Sequence, residues 1–196
     1  MREKELTGHE SLQLITQMIS RAKNDYIETG VSALLWGAII TFCALVTFFN
    51  SYLQWDPLHF IWVLTFLAVI PQIVIARREK KERKHRGHDD RLMGGIWLSF
   101  AAAMFLMSYI EIKNQWPAPI GVYLTIYGIP TFTTGYGKRF RPMVIGGIAC
   151  WVLAILSTFT PYPWSMLYLA AAAQLAWFIP GLILRKRYLK ERSINV

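Results

Sequence analysis

Four side chains with metal-ligand chemistry lie close together in one polar stretch of the sequence. His85, His88, Asp89 and Asp90 fall within RREKKERKHRGHDDR, residues 77–91. Imidazole and carboxylate groups are common ligands of zinc and other divalent metals. The same residues are equally typical of a solvated loop when no rigid frame holds them. We therefore expect a solvated loop here and no metal site.

A second set of polar groups lies inside long apolar segments, beside prolines. Gln72 follows Pro71 and Thr131 follows Pro130, while Gln174 lies six residues before Pro180. A proline inside a helix removes one amide and leaves the carbonyl four residues earlier without its usual donor. An amide side chain in lipid is costly unless it finds a partner. Two interpretations stay open: the kinks let helices pack around a common centre, or the polar groups line a cavity.

Other chemistry is missing from the sequence. The long apolar segments contain no Asp, Glu, Lys or Arg, which proton-coupled carriers and membrane hydrolases usually place there. There is no P-loop, dinucleotide-binding, HExxH or GxSxG pattern. Cys43 and Cys150 lie within apolar segments, where buried free thiols are expected. We predict no catalytic residue, no cofactor and no metal.

The apolar segments themselves predict an integral membrane protein of the all-α class. The chain has 196 residues, 54% of them hydrophobic and 17% charged. Each apolar segment is about 20 residues long, enough for a helix to cross a hydrocarbon core of about 30 Å. Six such spans are predicted, at about 31–52, 57–76, 92–110, 118–136, 143–160 and 165–184.

The distribution of charge predicts the orientation of these helices. With the amino terminus in the cytoplasm, all but one of the 21 Lys and Arg residues lie on the cytoplasmic side, and the exception is Lys113. Positive residues concentrate on the cytoplasmic side of membrane proteins. Both termini are therefore predicted to be cytoplasmic. The net charge of +9 reflects topology and does not indicate nucleic-acid binding, because the basic residues lie between apolar runs.

Three landmarks recur along the chain and suggest three copies of a helical hairpin. Outgoing helices carry Gly37, Gly95 and Gly147, outer turns carry Trp55, Trp116 and Trp164, and returning helices carry Pro71, Pro130 and Pro180. Each glycine precedes its proline by 33 to 35 residues. The copies would be parallel repeats, with the tryptophans as interface anchors. The alternative is that each landmark is common in membrane helices and the alignment is fortuitous.

The predicted organisation has three parts. Residues 1–30 form a cytoplasmic lead segment, 31–184 the six-helix membrane domain and 185–196 a basic cytoplasmic tail. In the lead segment, Thr7 and Glu10 have capping-box spacing, and apolar residues recur on one helical face. This amphipathic helix would lie in the membrane interface or dock on a partner.

The N-terminal part of the sequence also resembles that of other proteins. ESLQLITQMISRAKNDYIETGVSALLWGAIITFC, residues 10–43, runs from an amphipathic helix into a Leu-Trp-Gly first span. It resembles the opening of an uncharacterised family of small bacterial polytopic membrane proteins. The resemblance implies a bacterial cytoplasmic (inner) membrane location and a multi-pass chain, and it supplies no activity or functional residue.

Together these features favour a non-enzymatic membrane protein that acts through cytoplasmic and intramembrane contacts, as a scaffold, sensor or regulatory partner. The expected partners are the bilayer, anionic lipids attracted by the basic cytoplasmic segments, and a protein partner or second copy. The alternative is a transporter or permease for a small neutral or apolar solute, which needs no intramembrane charge. A lipid-modifying or redox enzyme is a third option.

Overall fold

The computed structural model describes residues 29–55, 57–58, 60–82, 88–115 and 117–194, and within these ranges every regular element is helical. The predicted all-α class is confirmed for this part of the chain. The elements are α1 (Val31–Tyr52), α2 (Val63–Leu67), α3 (Val69–Glu82), α4 (His88–Asn114), α5 (Ile120–Gly137), α6 (Arg141–Ser157), α7 (Ser165–Ala173), a π-helical segment (Gln174–Phe178) and α8 (Ile179–Ile194). The predicted lead helix lies almost wholly in residues 1–28, outside the described ranges.

Three of the described helices are long and apolar enough to cross a membrane: Val31–Tyr52, Arg91–Asn114 and the continuous stretch Ser165–Ser193. A fourth apolar helix, Arg141–Ser157, is shorter. The chain therefore has the helices of a membrane protein by length and composition. Six spans and a hairpin repeat go beyond this finding and stay predictions.

The predicted second span, residues 57–76, differs most from a single helix. The chain instead makes turns up to Trp62, forms α2, breaks at Ala68 and continues as α3. Pro71 explains the break, because its ring clashes with the carbonyl four residues earlier, at Leu67. Pro71 then falls in the first turn of α3, where a missing amide proton costs nothing.

The core of the fold is a group of close-packed helices. α5 and α6 are joined by a short turn and pack along their length, while α1 packs beside α7, the π-helical segment and α8. Small or apolar buried residues fill the centre, among them Ala44, Leu124, Cys150 and Ala172. These helices position the residues discussed below.

α4 lies at the edge of this core. None of the residues in its apolar window is buried within the chain. Leu98 is 72% exposed and Phe105 is 62% exposed. Such a surface is stable only against lipid or another apolar surface.

The structure describes the residues at both ends of the predicted membrane domain. Gly30 immediately precedes α1 and has a left-handed backbone (φ 73°), so the chain bends where it enters the first helix. α8 runs without interruption from Ile179 to Ile194, so the predicted basic tail from residue 185 onward continues this helix as far as the structure describes it.

Candidate functional site

The predicted glycine positions have unequal surroundings. A Cβ atom added to Gly37 would lie 2.7 Å from the backbone nitrogen of Phe178, and one added to Gly147 would lie 2.8 Å from the Cα of Phe132. At Gly95 such an atom would meet nothing within 4 Å. Two of the three glycines therefore allow close helix approach, as small residues do in membrane bundles, and the third does not.

The three prolines also differ. Pro130 and Pro180 are fully buried, whereas Pro71 is exposed. α5 continues through Pro130 without interruption, and the π-helical segment Gln174–Phe178 directly precedes the helix that contains Pro180. A π-bulge is one of the ways in which a helix accommodates a proline. The three Ile-Pro pairs therefore have different local structures: a break before Pro71, a continuous helix at Pro130 and a π-helical turn before Pro180.

Gln174 holds the crossing between α1 and the π-helical segment. Its Nε2 donates to Thr41 Oγ1 at 2.8 Å, and that hydroxyl donates to the Gly37 carbonyl at 2.7 Å. The hydrogen bonds therefore lie on the same side of α1 as the close contact between Gly37 and Phe178. The Gln174 amide is satisfied by a neighbouring helix rather than left facing lipid or a water-filled space.

Gln72 has a similar role between α1 and α3. Its Oε1 accepts from Trp36 Nε1 at 3.1 Å, and its Nε2 donates to Ser32 Oγ at 3.2 Å. Both partners are on α1, so this side chain ties the peripheral α3 to the core.

Thr131 is fully buried beside Pro130. Its hydroxyl accepts from Trp177 Nε1 at 2.9 Å and donates to the Tyr127 carbonyl at 2.8 Å. A parallel bond runs from Trp97 Nε1 to Thr134 Oγ1 at 3.1 Å. Two threonines of α5 therefore accept indole N–H groups from two different helices.

Aromatic rings hold α4 against this region. The Trp97 and Phe100 rings lie 6.2 Å and 6.1 Å from the Trp177 ring, and Tyr127 lies 5.0 Å from it in an edge-on arrangement. Edge-to-face aromatic pairs contribute about 0.5–1.5 kcal/mol beyond buried area. α4 is thus attached through its rings, whereas α1 and α6 are attached through close backbone contact.

The centre of the glycine and proline layer is closed. A gap bordered by Ile40, Tyr127, Cys150 and Trp177 is too small to hold a water molecule. Buried side-chain N and O atoms all have hydrogen-bond partners within the described ranges. Around this gap the described residues are packed closely and leave no space for a water molecule.

The tryptophans that donate these bonds, Trp36, Trp97 and Trp177, were missed by the sequence reasoning. A signal was present, because these three lie well inside apolar segments, while Trp55, Trp116 and Trp164 lie in turns at segment ends. An indole N–H inside a membrane helix needs an acceptor. Its position within a span therefore predicts a polar partner on a neighbouring helix.

The predicted interface anchors lie at one end of the fold where they are described. Trp55 is 67% exposed, and Trp164 packs edge-on against Phe48 and Tyr52, with ring centroids 5.2 Å and 5.7 Å away. Trp116 lies outside the described residues.

The opposite end carries the basic residues. Thr29 Oγ1 donates to a Glu79 carboxylate oxygen, and the Arg187 guanidinium lies 5.3 Å from the centre of the Phe140 ring. Of the candidate metal ligands, His85 lies outside the described residues, and the structure describes only the backbone of His88–Asp90. Among the residues that the structure describes, no three His, Cys, Asp or Glu side chains are grouped to hold a metal ion. Cys43 and Cys150 are both free and buried.

A cavity of about 410 Å³ lies at the other end of the fold, away from the predicted layer. It is bordered by the end of α1, the turns before α2 and the loop before α7. The sequence reasoning did not single out its residues. Comparison with known proteins assigns no role to it or to the layer: no family model, no curated protein and no solved structure matches this chain.

Proposed function

We propose that this chain is a multi-pass protein of the bacterial cytoplasmic membrane that acts through contacts, as a scaffold, sensor or regulatory partner, and not as an enzyme. The observation that carries the proposal is α4, a helix long enough to span a bilayer with no buried residue in its apolar window. A folded chain that leaves one such helix at the edge of its core has a large apolar surface available to a second protein or a second copy.

The closed layer supports the same proposal. Gln72, Thr131 and Gln174 each bond to a neighbouring helix or to their own helix backbone. Their chemistry is used in assembling the bundle. This use supports a contact function over the alternative, a carrier, in which the same groups would face a space that a solute can enter.

We further propose six crossings with both termini in the cytoplasm, arranged as three parallel hairpins. Support comes from the one-sided distribution of Lys and Arg and from the even glycine-to-proline spacing. The close backbone contacts at Gly37 and Gly147 agree with a shared role for two of the hairpins. On this topology the basic residues near Arg187 face anionic lipids of the inner leaflet.

Site-specific photocrosslinking in the membrane tests the contact function. A photoreactive amino acid at Leu98 or Phe105 would face outward from α4, and one at Phe42 would face outward from α1, where 52% of that side chain is exposed. We expect discrete protein adducts, either a dimer or a partner, from the two α4 positions and lipid adducts alone from Phe42. Lipid adducts alone from all three positions would contradict the proposal.

A further inference from the structure

The cavity at the end of α1 has one polar wall, formed by residues that share a face of this helix. Thr47, Asn50 and Ser51 are three and four residues apart and lie in the last turns of α1, with Gln54 just beyond its end. Residues at this spacing share one face of a helix. The wall therefore presents hydroxyl and amide groups at a point where the neighbouring α1 residues are apolar.

Hydrogen bonds fix the positions of these groups. Thr47 Oγ1 accepts from Trp62 Nε1 at 3.1 Å and donates to the Cys43 carbonyl at 2.8 Å. The Ser51 and Tyr162 hydroxyls lie 2.7 Å apart and share a hydrogen bond. Three separate segments of the chain are thus held around one space. A site whose walls are fixed before a ligand arrives loses less free energy on binding.

The lining residues also indicate which ligands the cavity suits. Those that are described are Thr47, Asn50, Ser51, Gln54, Trp62 and Tyr162, with Leu58 and Ile61 completing the wall. Hydroxyl and amide groups both donate and accept hydrogen bonds, and none of these side chains carries a charge. Among the described lining residues, a phosphate, carboxylate or ammonium group would find no counter-charge.

The volume of the cavity and its aromatic residues further restrict the class of ligand that it suits. A volume of about 410 Å³ lies within the range of small-molecule sites, about 300–1,000 Å³. Trp62 and Tyr162 offer flat apolar faces beside polar groups. This combination fits a ring with hydroxyl groups at its edge and C–H groups on its faces.

We propose that this cavity binds a neutral polyhydroxylated group of the sugar type. The group would come from a free sugar or from the headgroup of a glycolipid, since both present the same ring. The inference is independent of the contact function, because it rests on the cavity and not on α4.

Two binding measurements on the full chain in phosphatidylcholine nanodiscs test the proposal. Calorimetric titration with glucose reports the free sugar, and native mass spectrometry after adding monoglucosyl diacylglycerol to the bilayer reports the lipid headgroup. Glucose 6-phosphate is the charged comparator of glucose. We expect one neutral ligand to bind, and we expect glucose 6-phosphate to bind at least tenfold more weakly than glucose, roughly the effect of one poorly compensated polar group.

Matched variants locate the binding. Thr47→Val and Tyr162→Phe each remove one hydroxyl from the wall, while Tyr52→Phe removes one from an exposed neighbour that does not line the cavity. We expect the first two to weaken binding about fivefold to tenfold and the third to leave it unchanged. Glucose binding identifies a soluble ligand, and binding of the glucosyl lipid alone identifies a membrane ligand.

Three results would overturn the proposal. They are failure of both neutral ligands to bind, binding of glucose 6-phosphate as tight as that of glucose or tighter, and binding that Thr47→Val and Tyr162→Phe leave unchanged. Far-ultraviolet circular dichroism of each variant confirms that a loss of binding does not come from unfolding.

Discussion

Replacing Gly37 with alanine tests whether close backbone packing or helix preference determines stability in the glycine and proline layer. The added Cβ would lie 2.7 Å from the Phe178 nitrogen and 2.9 Å from its Cα. Backbone atoms cannot rotate away as a flexible side chain can, so α1 and the π-helical segment must separate. Gly95 supplies the matched control, because its added Cβ would meet nothing within 4 Å.

The expected magnitude follows from three contributions. Forcing one methyl group into packed surroundings costs about 1–3 kcal/mol, and losing the Gln174–Thr41 hydrogen bond adds about 0.6 kcal/mol, the mean for such bonds in a membrane. Because alanine is more favourable than glycine inside a helix, the substitution also stabilises the folded protein by about 0.8–1 kcal/mol. We expect Gly37→Ala to lower the free energy of unfolding by about 0.6–2.8 kcal/mol. Gly95→Ala, which gains only helix preference, should raise it by up to about 1 kcal/mol.

Unfolding by sodium dodecyl sulfate in mixed micelles, followed by far-ultraviolet circular dichroism, measures both variants against the unmodified protein. The two glycines occupy the same predicted repeat position, so the sequence alone predicts that both substitutions change the free energy of unfolding equally. Equal destabilisation by the two substitutions, or no effect of Gly37→Ala, would refute the packing argument.

Three further changes have defined outcomes. Trp177→Phe keeps a ring but removes the donor to Thr131, so the free energy of unfolding should fall by about 1 kcal/mol, measured by the same titration; no loss would show that the indole N–H contributes nothing. Glu111→Ala removes the acceptor of the Ala118 amide, 2.6 Å away, and should lower the free energy of unfolding by about 1.5–3 kcal/mol. Glu111→Gln keeps an acceptor oxygen and should lower it less; equal losses for the two variants would show that packing, and not this hydrogen bond, is responsible. Replacing the three basic residues at 185–187 with glutamine should weaken binding of phosphatidylglycerol by about 1 kcal/mol per residue, measured by native mass spectrometry, and unchanged binding would place the lipid contact elsewhere.

Some of this fold follows from the sequence because local rules determine it. Apolar length predicts helices at α1, α5 and α6 with bounds close to those observed, since a span needs about 20 residues. Pro71 predicts a disturbance in its helix because the clash with the Leu67 carbonyl is local.

Other features depend on which helices become neighbours, and the sequence does not fix that choice. Gly37 and Gly95 look alike in sequence, yet only Gly37 meets another backbone. The π-helical segment before Pro180 is in contact with α1 and α6, whereas Pro130 lies in a continuous helix. The polar wall of the cavity had a signal in its spacing, but the opposing Tyr162 lies more than a hundred residues away along the chain.

The most direct test of the account is thiol accessibility within the layer. Thr131→Cys and Gln174→Cys are treated with a membrane-impermeant maleimide in intact cells and in inside-out vesicles, and Phe159→Cys serves as the accessible control because Phe159 is 81% exposed near a turn. The unmodified protein gives the background, since Cys43 and Cys150 are buried. A packed layer that acts through contacts predicts labelling of the Phe159→Cys control only. Labelling of Thr131→Cys or Gln174→Cys from either side, at a rate near that of the control, would contradict the account and show a water-filled path through the bundle.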